Sequence, residues 1–282
     1  MLGLLQVLAG RGYEFVTPTP ATHAQVVARR PGQRSGDLRE IFGWSLPFER
    51  SALDQLILDV LCASDAMEDL GCGASKSRYR VASLGDNLYL HSAYPTNSAD
   101  AVFFGPDSYR FADFIKSELV ANPPGQRQRL VDIGAGAGVG AIVAATLHPS
   151  LDIVMSDINP EALRLAAINA RAAGIRAECI LGGNLDSLDG PIDIALANPP
   201  YLIDAAGRDY RDGGDMHGGQ VAYDMAVAAT ERISPGDRLV LYTGSAIIDG
   251  ADPLREALKD LAGRTGFSMS YREIDPDVLA KN

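Results

Sequence analysis

The sequence lacks any apolar run that could cross a bilayer. None of its 282 residues belongs to a stretch approaching the roughly 18 to 20 apolar residues of a membrane-spanning helix. Segment 1–8 is apolar but has no basic residue and is interrupted by Gln6, so we expect a short helix rather than a signal peptide. Hydrophobic residues at 46% and charged residues at 22% are globular proportions, which exclude a disordered chain or a fibrous rod.

Cysteine is scarce. Cys62, Cys72 and Cys179 are an odd and scattered set without a Cys-x-x-Cys pair, so neither a disulfide framework nor a zinc site is indicated. We expect the three to be small buried hydrophobic residues in a reducing cytoplasm. The histidines at 23, 91 and 148 have no metal-ligand spacing, and no metal is expected.

Basic residues are fewer than acidic ones. The chain has 25 basic and 36 acidic residues, a net charge of −11, which disfavours naked nucleic acid as the sole partner. The dense basic stretch comprises Arg29, Arg30, Arg34 and Arg39. We interpret these arginines as solvated surface in preference to a nucleic-acid site.

The chain divides near residue 98. Residues 51–63 repeat apolar side chains at helical spacing, and residues 78–91 have the pattern of two strands around a turn. Helices followed by a hairpin predict a small α+β domain over 1–98, of which a winged-helix-like fold is one form. We expect this domain to recognise the substrate.

Residues 99–282 form the second predicted domain, in which strands and helices alternate. The predicted strands are 129–133, 151–155, 175–181, 192–197, 238–242 and 267–274, and the predicted helices are 139–147, 160–173, 221–233 and 253–262. Such alternation is typical of βαβ units. It predicts an α/β fold with a Rossmann-like, doubly wound and mostly parallel sheet.

A glycine-rich turn follows the first of these strands. Asp132-Ile-Gly134-Ala-Gly136-Ala-Gly138 would let the backbone approach a ligand at the positive end of a helix. A dinucleotide fingerprint fits only when shifted to Gly136, with Ala141 as its third small residue. The spacing fits S-adenosylmethionine (SAM) better, and a turn without a ligand is the remaining alternative.

Asp157 closes the second predicted strand of the sheet. A carboxylate in that position can accept hydrogen bonds from both ribose hydroxyls of a nucleotide-type ligand, so it suits SAM and NAD equally. The alternative is an N-cap for the helix at Pro160, for which Asn159 is the better candidate.

Asn198-Pro199-Pro200-Tyr201 follows the fourth predicted strand directly. Two prolines cannot continue a central strand, so the chain must turn at the carboxyl edge, where open α/β sheets bind ligands. The nitrogen of an amide or nucleobase amine is a poor nucleophile because its lone pair is delocalised. The Asn198 side-chain oxygen and the Pro199 carbonyl can accept its two N–H bonds, while Tyr201 stacks on the planar group.

These three motifs, in this order, resemble those of class I SAM-dependent methyltransferases that modify amide or amine nitrogens. The likeness covers roughly residues 100 to 275 and is greatest to release-factor glutamine methyltransferases and ribosomal-RNA guanine-N2 methyltransferases. It implies that Asn184 or the nearby Asp186 contacts the adenine, and that Phe104 and Tyr109 flank the methionine unless they are interdomain core. The implied SAM-binding set is Phe104, Tyr109, Asp132, Gly134, Gly136, Gly138, Asp157, Ile158, Asn184, Leu185 and Asn198.

Class I sheets usually end in an antiparallel hairpin, whereas this sequence ends soon after its sixth predicted strand. We expect that the last strand is absent, that one strand comes from a misassigned segment, or that the chain is shortened. The polar, glycine-rich segment 208–219 is the expected substrate lid. His217 within it is not required as a base, because a methylated amide loses its proton readily.

The sequence therefore predicts a SAM-dependent N-methyltransferase that acts on a planar nitrogen of a macromolecule. A protein glutamine fits the acidic charge better than RNA does. The alternatives are an exocyclic amine of ribosomal RNA, a small molecule, a nicotinamide-dependent oxidoreductase and a SAM-binding scaffold without activity. The oxidoreductase is disfavoured because no Tyr-x-x-x-Lys pair is present and Asn-Pro-Pro-Tyr would be unexplained.

Overall fold

The computed structural model describes residues 1–30, 34–96, 98–183, 185, 188–203 and 211–274. The helices are α1 Leu2–Gly10, α2 Pro20–Ala28, α3 Leu38–Phe42, α4 Gln55–Ala63, α5 Pro106–Ala121, α6 Val139–Leu147, α7 Pro160–Ala172, α8 Asp215–Gly218, α9 Gln220–Arg232 and α10 Pro253–Thr265. The strands are β1 Phe48–Glu49, β2 Met67–Gly71, β3 Ala74–Ser77, β4 Tyr79–Leu84, β5 Asn87–Ser92, β6 Arg129–Ile133, β7 Asp152–Asp157, β8 Glu178–Leu181, β9 Ile194–Ala197 and β10 Arg238–Leu241.

Five parallel strands form the central sheet, in the order β10-β9-β6-β7-β8. The chain starts at β6 in the middle, moves outward to β8 and then crosses to the other side, which confirms the predicted doubly wound topology. Ile133 at the end of β6 pairs with Ser156 on one side and Ala197 on the other. The carboxyl ends of these strands therefore meet at one edge, and the turns that follow them are neighbours.

Both faces of the sheet are covered. Successive side chains of a strand point to opposite faces, so Leu130 belongs to the hydrophobic cluster beneath α5, α6 and α7, whereas Val131 belongs to the cluster beneath α9. Both side chains are fully buried. This two-sided burial explains why the sheet strands are short apolar runs instead of alternating patterns.

The amino-terminal part is an α+β unit, as the sequence predicts. Antiparallel strands pair in the order β1-β3-β2, with α4 between β1 and β2, an arrangement similar to that of winged-helix folds. The hairpin β4-β5 is the predicted one and packs on α7. The fully buried Asn169 of α7 accepts the Leu90 N–H at 2.8 Å and donates to the carbonyls of Leu90 and Ala137 at 3.0 and 2.9 Å.

A hydrophobic core runs from α1 through this hairpin into the central sheet. The domain boundary near residue 98 stays a prediction. In the described ranges, no helix is both long and apolar enough to span a membrane.

Two expectations from the sequence are wrong. Residues 267–274 form no strand: they run alongside the helices, where Tyr271 donates to Asp252 at 2.9 Å and Arg272 lies over the Phe114 ring. The central sheet thus has five strands among the described residues. The three cysteines are exposed, because Cys62 lies on the outer face of α4, Cys72 in the β2-β3 turn and Cys179 on the edge strand β8.

Candidate active site

The glycine turn links the end of β6 to α6 at the carboxyl edge of the sheet. Gly134, Gly136 and Gly138 have φ values of 66°, 55° and 80°, a region that favours glycine. A side chain added at Gly136 would meet no atom within 4 Å. The three glycines of the turn therefore have a left-handed backbone, and the turn borders open space at Gly136.

Asp132, at the end of β6, forms a hydrogen bond to the helix that follows the glycine turn. Its Oδ2 accepts the backbone N–H of Ala141 in the first turn of α6 at 2.8 Å. A side chain at Gly140 would come within 2.7 Å of the same oxygen, so the carboxylate fits only beneath a glycine. Burial raises the Asp132 pKa to about 7. The structure shows Asp132 joining strand to helix, and its predicted contact with SAM stays a prediction.

Asp157 lies beside the glycine turn at the end of β7. Its Oδ2 accepts the Gly136 N–H and its Oδ1 accepts the Asn159 N–H, both at 2.9 Å. Burial raises its pKa, against these hydrogen bonds. The helix cap is Asn159, whose side chain accepts the Glu161 N–H at 2.9 Å. Asn159 and not Asp157 therefore caps the helix, and the predicted contact of Asp157 with the ribose stays a prediction.

Two further members of the predicted SAM-binding set, Ile158 and Leu185, lie in different surroundings. Ile158 is 55% exposed and lies over Gly183, where a side chain would come within 2.5 Å of it. Leu181, which the sequence analysis did not assign, is also exposed at the end of β8. Leu185 is buried in the cluster beneath α9, which leaves its side chain no exposed face. Asn184 and Asp186 lie outside the described residues.

Phe104 and Tyr109, the two predicted neighbours of the methionine, differ in burial. The Phe104 ring is 1% exposed and contacts Tyr89, His91 and Tyr109 at centroid distances of 5.3 to 5.4 Å. This enclosure favours the interdomain-core alternative for Phe104. Tyr109 is partly exposed, and its hydroxyl accepts the Thr17 N–H at 3.0 Å, so it remains available to border a ligand.

The Asn-Pro-Pro-Tyr segment follows β9 and lies next to the glycine turn, because Ala197 pairs with Ile133 and the next residues are Asn198 and Gly134. The Asn198 Oδ1 is buried and has no hydrogen-bond partner among the described residues. Pro199 is buried, and Pro200 is partly exposed. An unpaired buried oxygen costs roughly 1 to 3 kcal/mol, so this atom is suited to receive an incoming N–H group.

Tyr201 is closely packed against two glycines: Gly218, which lies in the predicted lid segment 208–219, and Gly244, which the sequence analysis did not assign to the site. A side chain at Gly244 would come within 2.3 Å of the Tyr201 ring, and one at Gly218 within 2.5 Å of its carbonyl oxygen. Burial raises the Tyr201 pKa further above its ordinary value, so the phenol stays neutral. The ring therefore has a fixed position beside Asn198.

Asp107 is the second site residue that the sequence analysis missed. It lies in the first turn of α5, is 8% exposed, and its Oδ1 is buried without a hydrogen-bond partner among the described residues. Burial raises its pKa to about 6, although neighbouring hydrogen-bond donors oppose the rise. The available signal was an acidic residue inside the Gly-Pro-Asp start of a helix.

The arrangement fits SAM. Gly136 offers open backbone, each Asp157 oxygen has one partner and can accept another hydrogen bond, and Ile158 leaves apolar surface exposed for a flat ring. When bound, SAM supplies an electrophilic methyl group. Within the described ranges, no three of the His, Cys, Asp and Glu side chains are grouped to hold a metal ion.

Comparison with known proteins shows which kind of domain the central sheet resembles. Residues 108–240 match the family model described as "Methyltransferase small domain". This part of the chain is therefore similar to methyltransferase domains, and its parallel sheet is Rossmann-like. This similarity disfavours the nicotinamide-dependent alternative.

Within that class, the chain is similar to release factor glutamine methyltransferases. It is 30% identical to the one from Deinococcus radiodurans, over 52% of this chain and 59% of the relative, and 34% identical to the one from Bradyrhizobium diazoefficiens, over 42% and 44%. It is 33% identical to ribosomal RNA small subunit methyltransferase C of Serratia proteamaculans, over 26% and 21%. The chain spans about half the length of the release-factor relatives it matches.

Solved structures of low sequence identity are also similar. Trm5b of Pyrococcus abyssi matches with a TM-score of 0.48 and 16% identity, over 71% of this chain and 54% of that one. A ribosomal protein L11 methylase of Lactobacillus delbrueckii subsp. bulgaricus matches with a TM-score of 0.46 and 14% identity, over 59% and 74%.

Proposed function

We propose that the enzyme methylates a planar nitrogen of a macromolecule, and that a protein glutamine amide is its preferred methyl acceptor. The observation that carries this proposal is the buried, unpaired Oδ1 of Asn198 beside the glycine turn. An amide or arylamine NH2 group supplies the N–H donor that this oxygen lacks. Asn198, Pro199, Pro200 and Tyr201 are the proposed catalytic residues.

Each residue has a role in the transfer. The Asn198 Oδ1 and the Pro199 carbonyl accept the two N–H bonds, which turns the nitrogen lone pair toward the methyl group and stabilises the positive charge that develops on nitrogen. The fixed Tyr201 ring stacks on the planar group. The C–S bond of the donor breaks as the N–C bond forms, and the methylated nitrogen then releases one proton to solvent.

The surface charge supports a protein as the methyl acceptor. The outer face of α4, the helix that a winged-helix-like unit would present, carries Gln55, Leu56, Asp59 and Cys62 but no basic residue. In the basic stretch, Arg30 pairs with Glu40 at 2.5 Å and Arg34 with Glu49 at 2.6 Å. The net charge of −11 acts in the same direction, since it repels phosphates.

The test is transfer of labelled methyl from SAM into a fractionated lysate, with Asn198→Ala as the matched control. We expect label in protein, recovered after hydrolysis of the chain as methylated glutamine, and none with the variant. Retained SAM binding by Asn198→Ala would separate an enzyme from a binding scaffold. Label in RNA alone would contradict a protein methyl acceptor, and label in small molecules alone would contradict a macromolecular one.

A further inference from the structure

Asn159 caps α7 with a side chain that also reaches outside its own helix. Its Oδ1 accepts the Glu161 N–H at 2.9 Å, and its Nδ2 donates to the backbone carbonyl of Asp100 at 2.9 Å. A backbone N–H can only donate and a carbonyl can only accept, so these two partners determine which way the carboxamide is turned. Asn159 is therefore bonded both to the start of α7 and to the segment between β5 and α5.

Helix capping alone does not require an asparagine at this position. The other side-chain N-caps in the described ranges use a hydroxyl or carboxylate oxygen as the acceptor, from Thr19, Asp37, Asp54 and Asp252. Such an oxygen caps a helix as well as an amide does. A carboxylate, however, cannot donate to the Asp100 carbonyl, whereas a carboxamide has an acceptor and a donor on separate atoms. The bond to Asp100 therefore gives the amide a role beyond capping.

The segment that contains Asp100 is attached to the hairpin β4-β5. The Ser92 N–H at the end of β5 donates to the Val102 carbonyl at 3.0 Å, and the Ser92 hydroxyl accepts the Val102 N–H at 2.8 Å. The hairpin itself packs on α7. The Asp100 carbonyl, two residues before Val102, is thus close to a packed part of the structure and gives the Asn159 amide a well-placed partner.

The backbone of Asn159 contacts the carboxylate that is predicted to bind the ribose. The Asn159 N–H donates to Asp157 Oδ1 at 2.9 Å, while Asp157 Oδ2 accepts the Gly136 N–H. One residue thus connects Asp100 to the carboxylate beside the glycine turn. We propose that Asn159 is a positioning residue, which uses its bond to Asp100 to keep Asp157 in the orientation that receives the ribose hydroxyls of SAM. This inference rests on the proposed function, since it takes SAM as the ligand.

SAM affinity separates this positioning role from plain helix capping. Asn159→Ser keeps a capping oxygen, but its single, shorter-reaching hydroxyl cannot bond both partners. We expect the Kd for SAM, measured by calorimetry, to rise about five-fold, the scale of one lost hydrogen bond, while the urea midpoint of unfolding stays at the wild-type value. Asp37→Ser, the corresponding change of cap on α3, is the matched control and should leave the Kd unchanged. An unchanged Kd in Asn159→Ser would overturn the proposal.

Hydrogen exchange gives a second readout that needs no ligand. The Gly136 amide is bonded to Asp157, so a displaced carboxylate leaves that amide open to exchange. In the full chain without SAM, nuclear magnetic resonance should show Gly136 exchanging about five-fold faster in Asn159→Ser than in the wild type, whereas Ala141, bonded to Asp132, should not change. Equal Gly136 rates would overturn the positioning role. If the wild type does not bind SAM, the proposed function fails, but the Gly136 rate still decides whether Asn159 positions Asp157.

Discussion

The carboxylate of Asp157 accepts the backbone N–H of Gly136 at 2.9 Å. This bond connects the end of β7 to the turn that follows β6, so the Asp157 side chain shapes the glycine turn. If Asp157 also contacts the ribose as predicted, cofactor binding and the geometry of the turn are coupled through it.

Asp157→Ala should weaken SAM binding by about 2 kcal/mol, since it removes hydrogen-bond acceptors from the ribose and releases the Gly136 N–H. Isothermal titration calorimetry measures the change. Asp152→Ala, an exposed change at the other end of β7, is the control and should bind SAM normally. Equal affinity of the two variants would mean that Asp157 does not contact the cofactor.

Gly244→Ala should reduce kcat at least ten-fold without changing SAM affinity, because the added carbon would collide with the Tyr201 ring and displace it. Methyl transfer and SAM binding are measured in parallel. Gly263→Ala in α10 has free space and should keep full activity, with roughly 0.5 to 1 kcal/mol of added stability. Full activity of Gly244→Ala would show that the Tyr201 position is unimportant.

Asn169→Ala should lower the free energy of unfolding by about 3 kcal/mol. It leaves the backbone groups of Leu90 and Ala137 unpaired inside the core, where water cannot replace the lost bonds. Urea denaturation measures the loss. Asn87→Ala removes one long, exposed contact of 3.5 Å and should change little. Equal losses of unfolding free energy in the two variants would contradict the proposed structural role of the Asn169 hydrogen bonds.

Asp132→Asn should change how stability depends on pH. The folded-state Asp132 pKa of about 7 lies above the ordinary value near 4, so the folded state holds the proton more tightly. Its contribution is therefore fully present below pH 4 and is lost as the pH rises through 7. The difference in unfolding free energy between wild type and variant should shift in favour of the variant between pH 4 and 7, and a constant difference would contradict the raised pKa.

The local motifs could be located from the sequence because each depends on neighbouring residues. The glycines of the turn need a left-handed backbone, and two prolines after an apolar strand force a turn at the sheet edge. Residues 267–274 show the limit of the same reasoning: an apolar pattern permits a strand, but a strand forms only when another strand lies within reach. Phe104 shows the same limit. An aromatic residue that borders a ligand and one that lies in the core look alike in the sequence, and Phe104 is buried.

The sequence by itself determined the alternation of strands and helices, the glycine turn and the place of Asn198 at the rim of the sheet, because backbone sterics and hydrophobic periodicity act over a few residues. Only the tertiary structure decided that Asp107 is buried at the start of α5 and that Gly244 makes room for Tyr201. Gly244 and Tyr201 are far apart in the chain and carry no shared local pattern. Packing of the turn after β10 against the turn after β9 brings them together.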